Sequence, residues 1–319
     1  MKKAAAIVIL CSVLFGSCAS RDAARADEYF SMGMAYYDLG KYEDAERWFN
    51  RAKAIDKTMT ASEYNLGRIA FETGRYEDAA GHFEKIVSRD PENVMALKSA
   101  AYSRIKNGDL LAAETHYSKV LALVPESADD GFNYALVLYA LKKYPESEST
   151  LQKYSTALEE NSDALLLLAR AEGAQNKVEA ADSYNKWLTV STPTAQVLYE
   201  YAQVLEKLEL YARAIEQYKA SVAALREDTN TLKKSSIRYE AARLMLTADP
   251  ENDEAIVELD AAIEAGFTDT KILEDLMQDP RITQAHKDSI QKSIDAINNP
   301  PAPPASEGDG QTGADAPKE

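Results

Sequence analysis

The sequence predicts an all-α fold: a solenoid of about seven helix pairs followed by a short helical cap. Two observations predict it. Similar residues recur every 34 positions, and the apolar residues within each interval follow the spacing of a helix. The recurring sets are Ala45, Ala79, Ala113 and Ser147; Phe49, Phe83, Tyr117 and Leu151; Gly33, Gly67, Ala101, Ala135 and Ala169; and Gly40, Gly74 and Gly108. No single hydrophobic pattern produces all of these coincidences.

Each interval contains two short helices. In the first interval, Tyr29, Met32, Gly33 and Tyr36 share one helical face, and Ala45, Phe49 and Ala52 share another after the turn. Gly40 lies between the two stripes and is expected to end the first helix. Small residues in the first helix are expected where the second helix approaches closely. Because one helix pair cannot bury both of its faces, the pairs must stack.

These residues resemble the tetratricopeptide repeat family. The pattern of Gly or Ala, Gly-x-Tyr, Ala, aromatic and Pro is matched in the second interval by Gly67, Gly74, Tyr76, Ala79, Phe83 and Pro91. The units are placed at about 26–59, 60–93, 94–127, 128–161, 162–194 and 195–228, with a degenerate seventh unit to about 266. The resemblance implies a right-handed α-solenoid over residues 26–266, whose first helices line a concave groove.

The segments after the repeats differ in composition. Residues 267–298 lose the period but keep a helical pattern, with a break at Asp279-Pro280, and are predicted to form a cap with His286 on its surface. Residues 299–319 contain five Pro, three Gly and four Ala without an apolar face, and are predicted to be disordered.

The N-terminus is typical of an export signal. Lys2 and Lys3 precede a 12-residue apolar stretch, which is too short for a membrane span of about 20 residues. Gly16-Ser17-Cys18 then resembles a bacterial lipoprotein signal, with Phe15 where that family usually has Leu. The resemblance implies that residues 1–17 are removed, that Cys18 carries lipid and that residues 18–25 form a membrane-proximal tether. Ordinary cleavage after Ala19, or a fortuitous Cys18, is the alternative.

Cysteine count and charge agree with a lipid anchor. Cys11 leaves with the signal, so Cys18 is the one cysteine of the mature chain. The mature chain has 34 basic and 52 acidic side chains, a net charge of −18, so charge alone would not hold it at an anionic membrane. Ala19 after Cys18 favours the outer membrane, facing the periplasm, by the lipoprotein sorting rule. Anchoring in the inner membrane and secretion are the alternatives.

Composition and motifs argue against two function classes. The acidic balance repels phosphate backbones, so nucleic acid is not an expected partner. The sequence has no GxSxG, Walker, HExxH or CxxC motif, so we expect no enzyme and no cofactor. His82 and His116 occupy equivalent slots of adjacent second helices, but two imidazoles about 10 Å apart do not chelate a metal.

The candidate site is the groove lined by the first helices. The fifth position of each first helix carries an aromatic residue in five of seven units: Phe30, Tyr64, Phe132, Tyr199 and Tyr239. Seven positions later come Tyr37, Phe71 and Tyr139, and another inward position carries Arg68, Arg170 and Arg243. Aromatic and Arg residues are enriched at binding hot spots, which indicates a surface for a protein or peptide. The alternative is that these rings pack between neighbouring units.

The leading hypothesis is a non-catalytic scaffold, attached to a membrane by lipid, that binds envelope proteins or peptides in its groove. The alternative is an accessory subunit of a periplasmic solute transporter that receives a ligand. An enzyme hidden in the cap is a third class, but 32 residues are too few for an independent active site.

Overall fold

A computed structural model describes residues 21–299 of the 319-residue chain. Within this range the structure is helical and contains no β-strand. The all-α solenoid fold is therefore confirmed. The described residues fall into two compact units. The division lies between Val190 and Ser191, inside the predicted array and at the start of a short non-helical segment that contains Pro193. Cys18, which is predicted to carry lipid, the predicted signal at residues 1–17 and residues 300–319 of the predicted tail lie outside the described range.

The first unit contains five helix pairs. Residues 21–38 are helical and are called α1. The following helices are α2 (Tyr42–Ile55), α3 (Thr60–Glu72), α4 (Tyr76–Arg89), α5 (Val94–Lys106), α6 (Leu110–Leu123), α7 (Ala128–Ala140), α8 (Tyr144–Lys153), α9 (Ser162–Ala174) and α10 (Glu179–Val190). From α2 onward, each helix of this unit packs on the next in chain order.

The helix pairs close through small residues, as expected. A Cβ placed on Gly33 would lie 2.6 Å from Phe49 Cδ1, and one placed on Gly67 would lie 2.7 Å from Phe83 Cε1. Phe49 and Phe83 are both buried. The recurring glycines therefore mark the points where the second helix of a pair contacts the first.

The turn between the helices of a pair keeps one backbone conformation. Gly40, Gly74 and Gly108 have φ of +69°, +75° and +84°. In the next three pairs the turn residue is not glycine, yet Lys142, Asn176 and Glu209 have φ of +61°, +55° and +60°. The left-handed turn thus persists after its glycine signature has ended.

The second unit contains two helix pairs and the cap. Its helices are α11 (Ala195–Lys207), α12 (Tyr211–Ala224), α13 (Lys234–Ala248), α14 (Glu254–Glu264), α15 (Thr270–Met277) and α16 (Gln284–Asn298). One buried cluster joins α13 and α14 to the cap through residues such as Leu246, Leu259, Leu273 and Ile290. The cap therefore shares its core with the seventh pair. Among residues 21–299, no helix combines the length and the apolar character needed to cross a membrane.

Residues 21–25 of the predicted tether are helical and continuous with α1, which leaves their role as a tether a prediction. One local expectation differs from the structure. His286, expected on the cap surface, is only 5% exposed. Its backbone N–H donates to Thr283, which caps the N-terminus of α16, so this position belongs to the first turn of a helix whose inner face is buried.

Candidate functional site

The fifth-position aromatic residues all pack against buried residues of the protein interior. Phe30 lies 5.5 Å from Phe49, Tyr64 lies 5.2 Å from Phe83, and Tyr199 lies 5.6 Å from Tyr218, measured between ring centroids. Phe132 packs on the cluster that contains Leu151, Tyr154 and Leu167. These four residues are half-buried. Tyr239 is 6% exposed and stacks on Phe267 at 4.5 Å, so it offers little surface to a partner.

The second aromatic row lies near the ends of the first helices. Tyr37, Phe71 and Tyr139 are half-buried, and each packs on the tyrosine that begins the next helix, with centroid distances of 5.6, 5.2 and 5.2 Å. Burial raises the pKa of the Tyr37 hydroxyl, and Arg68 partly offsets this effect. Each ring of this row therefore packs on the helix that follows it in the chain.

The three arginines have different surroundings. The Arg68 guanidinium stacks 4.4 Å from the centroid of Tyr37 and donates to Asn65 Oδ1 at 3.0 Å. Arg243 donates to Glu206 at 2.6 Å and to Glu240 at 2.8 Å, so its charge is already paired. Burial alone would lower the pKa of Arg243, but these two carboxylates raise it above its ordinary value. Arg170 lies half-buried on α9.

The most exposed apolar residues of α5 and α7 were not predicted from the sequence. Met95, Tyr102 and Leu136 are 63%, 47% and 41% exposed. Tyr102 stacks on Phe71 with ring centroids 5.1 Å apart, and the Lys106 amine lies 5.5 Å from the Tyr102 ring. The missed signal was the 34-residue register of Arg68 and Arg170, which also contains Tyr102 and Leu136.

These side chains define one surface of the first unit, on α1, α3, α5 and α7. We call it the odd-helix face. Its residues are Tyr37, Arg68, Phe71, Met95, Tyr102 and Leu136. The direct contacts of Tyr37 with Arg68 and of Phe71 with Tyr102 join successive odd-numbered helices. Exposed rings, a thioether and a guanidinium on rigid helices suit the binding of a polypeptide side chain or backbone.

The histidines of the shared slot bond to carboxylates on neighbouring helices. His82 Nδ1 lies 2.8 Å from Glu63 Oε1, and His116 Nε2 lies 3.1 Å from Glu84 Oε1. Glu84 also receives two hydrogen bonds of 2.8 Å from Arg104. Within residues 21–299, no group of three or more His, Cys, Asp or Glu residues is arranged to hold a metal ion.

Glu63 and a second glutamate of this unit, Glu172, are almost completely buried. Glu63 pairs with Lys53 and His82. Burial would raise the pKa of Glu63, but these partners outweigh that effect and hold it below its ordinary value. Glu172 is 3% exposed and its Oε2 has no hydrogen-bond partner. Burial therefore raises the pKa of Glu172, and the nearby carboxylates of Glu148 and Glu179 raise it further.

Comparisons with known proteins agree with this geometry. Residues 26–59 match one model of the tetratricopeptide repeat, and residues 64–128 and 98–157 match a second model of the same repeat. No curated protein has a significant sequence match to the chain.

Solved structures with a similar fold include the following two. A tetratricopeptide repeat protein from Parabacteroides merdae is 18% identical, with 86% of this chain and 100% of that chain covered and a TM-score of 0.53. YrrB, described as a tetratricopeptide repeat protein with an unusual peptide-binding site, is 16% identical, with 58% of this chain and 96% of that chain covered and a TM-score of 0.51. At these identities the likeness concerns the fold alone.

Proposed function

Because this chain contains tetratricopeptide repeats, we propose that it is a non-catalytic scaffold, anchored by lipid at Cys18, that binds an envelope protein or peptide on its odd-helix face. Its place is the outer membrane, facing the periplasm. The peptide-binding site named for YrrB supports a polypeptide as the class of ligand. The fold specifies a scaffold only, so the surface must carry the argument.

The observation that carries the proposal is the exposed Tyr102 ring, which stacks on the half-buried Phe71 ring of the preceding repeat. Met95 is exposed on the same helix as Tyr102, and contiguous exposed apolar groups on a protein surface mark interaction sites. Lys106 adds a cation beside Tyr102, and Arg68 adds one beside Tyr37 on the same face. This mixture of aromatic and basic groups is the composition of a protein-binding hot spot.

Site-specific photo-crosslinking in living cells tests the face. A photoreactive phenylalanine analogue at position 102 is expected to trap a polypeptide on illumination. The same analogue at position 111 is the matched control, because Leu111 is 64% exposed but lies on an even-numbered helix. Adducts of equal yield at both positions, or none at 102, would count against the odd-helix face as the binding surface.

The lipid anchor is tested separately by metabolic labelling with a clickable palmitate. The wild-type chain should incorporate the label, and Cys18→Ser should lose it. Equal labelling of both chains would contradict the lipid anchor at Cys18 but would not bear on the proposed binding face.

A further inference from the structure

The outer end of the first helix pair exposes an aromatic surface of its own. Tyr29 and Trp48 have ring centroids 5.4 Å apart, and the Arg51 guanidinium lies 4.6 Å from the Trp48 ring. Met32 beside them is 42% exposed. An open groove between α1 and α2 is lined by these rings together with Ala24, Asp27, Glu28, Ser31 and Met32. We call this surface the end face.

The repeat register explains why the end face is uncovered. The residues 34 positions after Tyr29 and Trp48 are Glu63 and His82. There the preceding helix α2 covers the site, because its Lys53 pairs with Glu63, and the Glu63 side chain is 1% exposed. No described helix precedes α1, so Tyr29 and Trp48 have no equivalent cover among residues 21–299.

Chain length limits what can lie against this surface. Residue 21 is already helical, so three peptide steps separate Cys18 from α1. Three extended residues span at most about 10 Å. A lipid on Cys18 would therefore hold the start of α1 within about 10 Å of the point where the acyl chains enter the bilayer.

Charge does not oppose a membrane at this end. Residues 21–55 contain six basic and seven acidic side chains, a net charge of −1, whereas the mature chain carries −18. The first helix pair is thus close to neutral, so an anionic lipid surface repels it only weakly. Trp and Tyr are the residues that prefer the headgroup level of a bilayer, where an apolar ring and a polar N–H or O–H are both solvated.

We propose that the end face of Tyr29, Met32 and Trp48 lies against the lipid headgroup region of the membrane, with Arg51 beside Trp48 at the level of the phosphates. This inference rests on the lipid anchor of the proposed function. The anchor and the end face then hold the first helix pair at two points, so the protein is oriented on the bilayer and does not swing from a free tether.

Tryptophan quenching by brominated phospholipids tests the contact. The full-length lipidated protein is reconstituted into vesicles of phosphatidylethanolamine and phosphatidylglycerol, with or without bromine on the lipid. The chain has two tryptophans, and Trp187 is 5% exposed, so it serves as an internal reference. Brominated vesicles are expected to lower the wild-type emission by about a third or more, since Trp48 would lie among the lipids. The emission of Trp48→Phe, which keeps only Trp187, should not change.

A second variant keeps the test independent of Trp48 itself. Met32→Asp places a charge on the end face away from the core and should reduce the quenching of Trp48 while vesicle flotation stays intact. Flotation without any quenching in the wild type would overturn the contact and leave the anchor standing. A dimer detected by light scattering with Trp48 unquenched would assign the face to a second copy and overturn the contact as well. Failure of the wild type to float would overturn both the anchor and this inference.

Discussion

The buried carboxyl groups of Glu63 and Glu172 have pKa values that are shifted in opposite directions. Glu63 has cationic and imidazole partners that hold its pKa below the ordinary value of 4.5, in spite of burial. Glu172 has one oxygen without a partner, and burial raises its pKa above 4.5. Ionised Glu63 therefore stabilises the folded state, whereas ionised Glu172 destabilises it.

Exchange of each glutamate for glutamine should separate the two cases. Glu63→Gln is expected to cost about 1.5–3 kcal/mol at pH 7.5, because charge-assisted hydrogen bonds are lost. Glu172→Gln should stabilise the protein at pH 7.5 by about 1 kcal/mol, since a buried charge disappears. The Glu172→Gln gain should shrink as the pH falls through the raised pKa of folded Glu172 and disappear below 4.5, where the wild-type carboxyl is protonated in both states. Thermal unfolding across this pH range measures both. A gain in stability for Glu63→Gln, or a loss for Glu172→Gln, would contradict these roles.

The close approach of α3 and α4 requires glycine at position 67 but not at position 81. Gly67→Ala puts a methyl group 2.7 Å from the Phe83 ring, so we expect a loss of about 1–3 kcal/mol from overpacking. Gly81 on α4 is the matched control, because a Cβ there meets nothing within 4 Å. Gly81→Ala should stabilise the helix by up to about 1 kcal/mol. Unfolding temperatures that fall for both variants, or for neither, would show that the contact with the Phe83 ring does not determine the change in stability.

The left-handed turns give a second prediction for the helix pairs. Lys142 has φ of +61°, which costs a residue with a side chain about 1 kcal/mol, so Lys142→Gly should raise stability by about 0.5–1 kcal/mol. Asn176 has φ of +55°, but asparagine tolerates this region, so Asn176→Gly should change little. Thermal unfolding of the two variants checks the difference. A larger gain at Asn176 than at Lys142 would refute the explanation by backbone strain.

The helix pairs could be predicted from the sequence because the 34-residue period recurs at several positions and does not depend on any one residue type. It could not show that Lys142 and Glu209 keep the glycine conformation, since neither residue type marks a turn. It also gave no sign that residues 21–25 are helical, because polar, alanine-rich helices lack an apolar stripe. The predicted domain boundaries within the array stay predictions.

At the scale of the whole molecule, the candidate site was predicted only in outline. The repeat register indicated which helices carry it. The register could not show how much of each ring contacts the core. Neighbouring positions on a helix point about 100° apart, and an aromatic ring is wide enough to extend from one of these directions toward the next. The fifth-position rings contact the interior, whereas Tyr102 and Met95, which the aromatic count overlooked, are more exposed. Whether the fifth-position residues also contact a partner stays a prediction.

The central claim is that the odd-helix face binds a polypeptide, and paired alanine variants test it most directly. Thermal unfolding and affinity for the polypeptide trapped at position 102 are measured side by side for Tyr102→Ala, Tyr64→Ala and the exposed control Leu111→Ala. Tyr102→Ala should keep its unfolding temperature and lose about 30-fold or more in affinity, as for a hot spot worth about 2 kcal/mol. Tyr64→Ala should lose about 3 kcal/mol of stability, because its ring packs on Phe83. Unchanged affinity in Tyr102→Ala, with Leu111→Ala as the reference, would contradict the account.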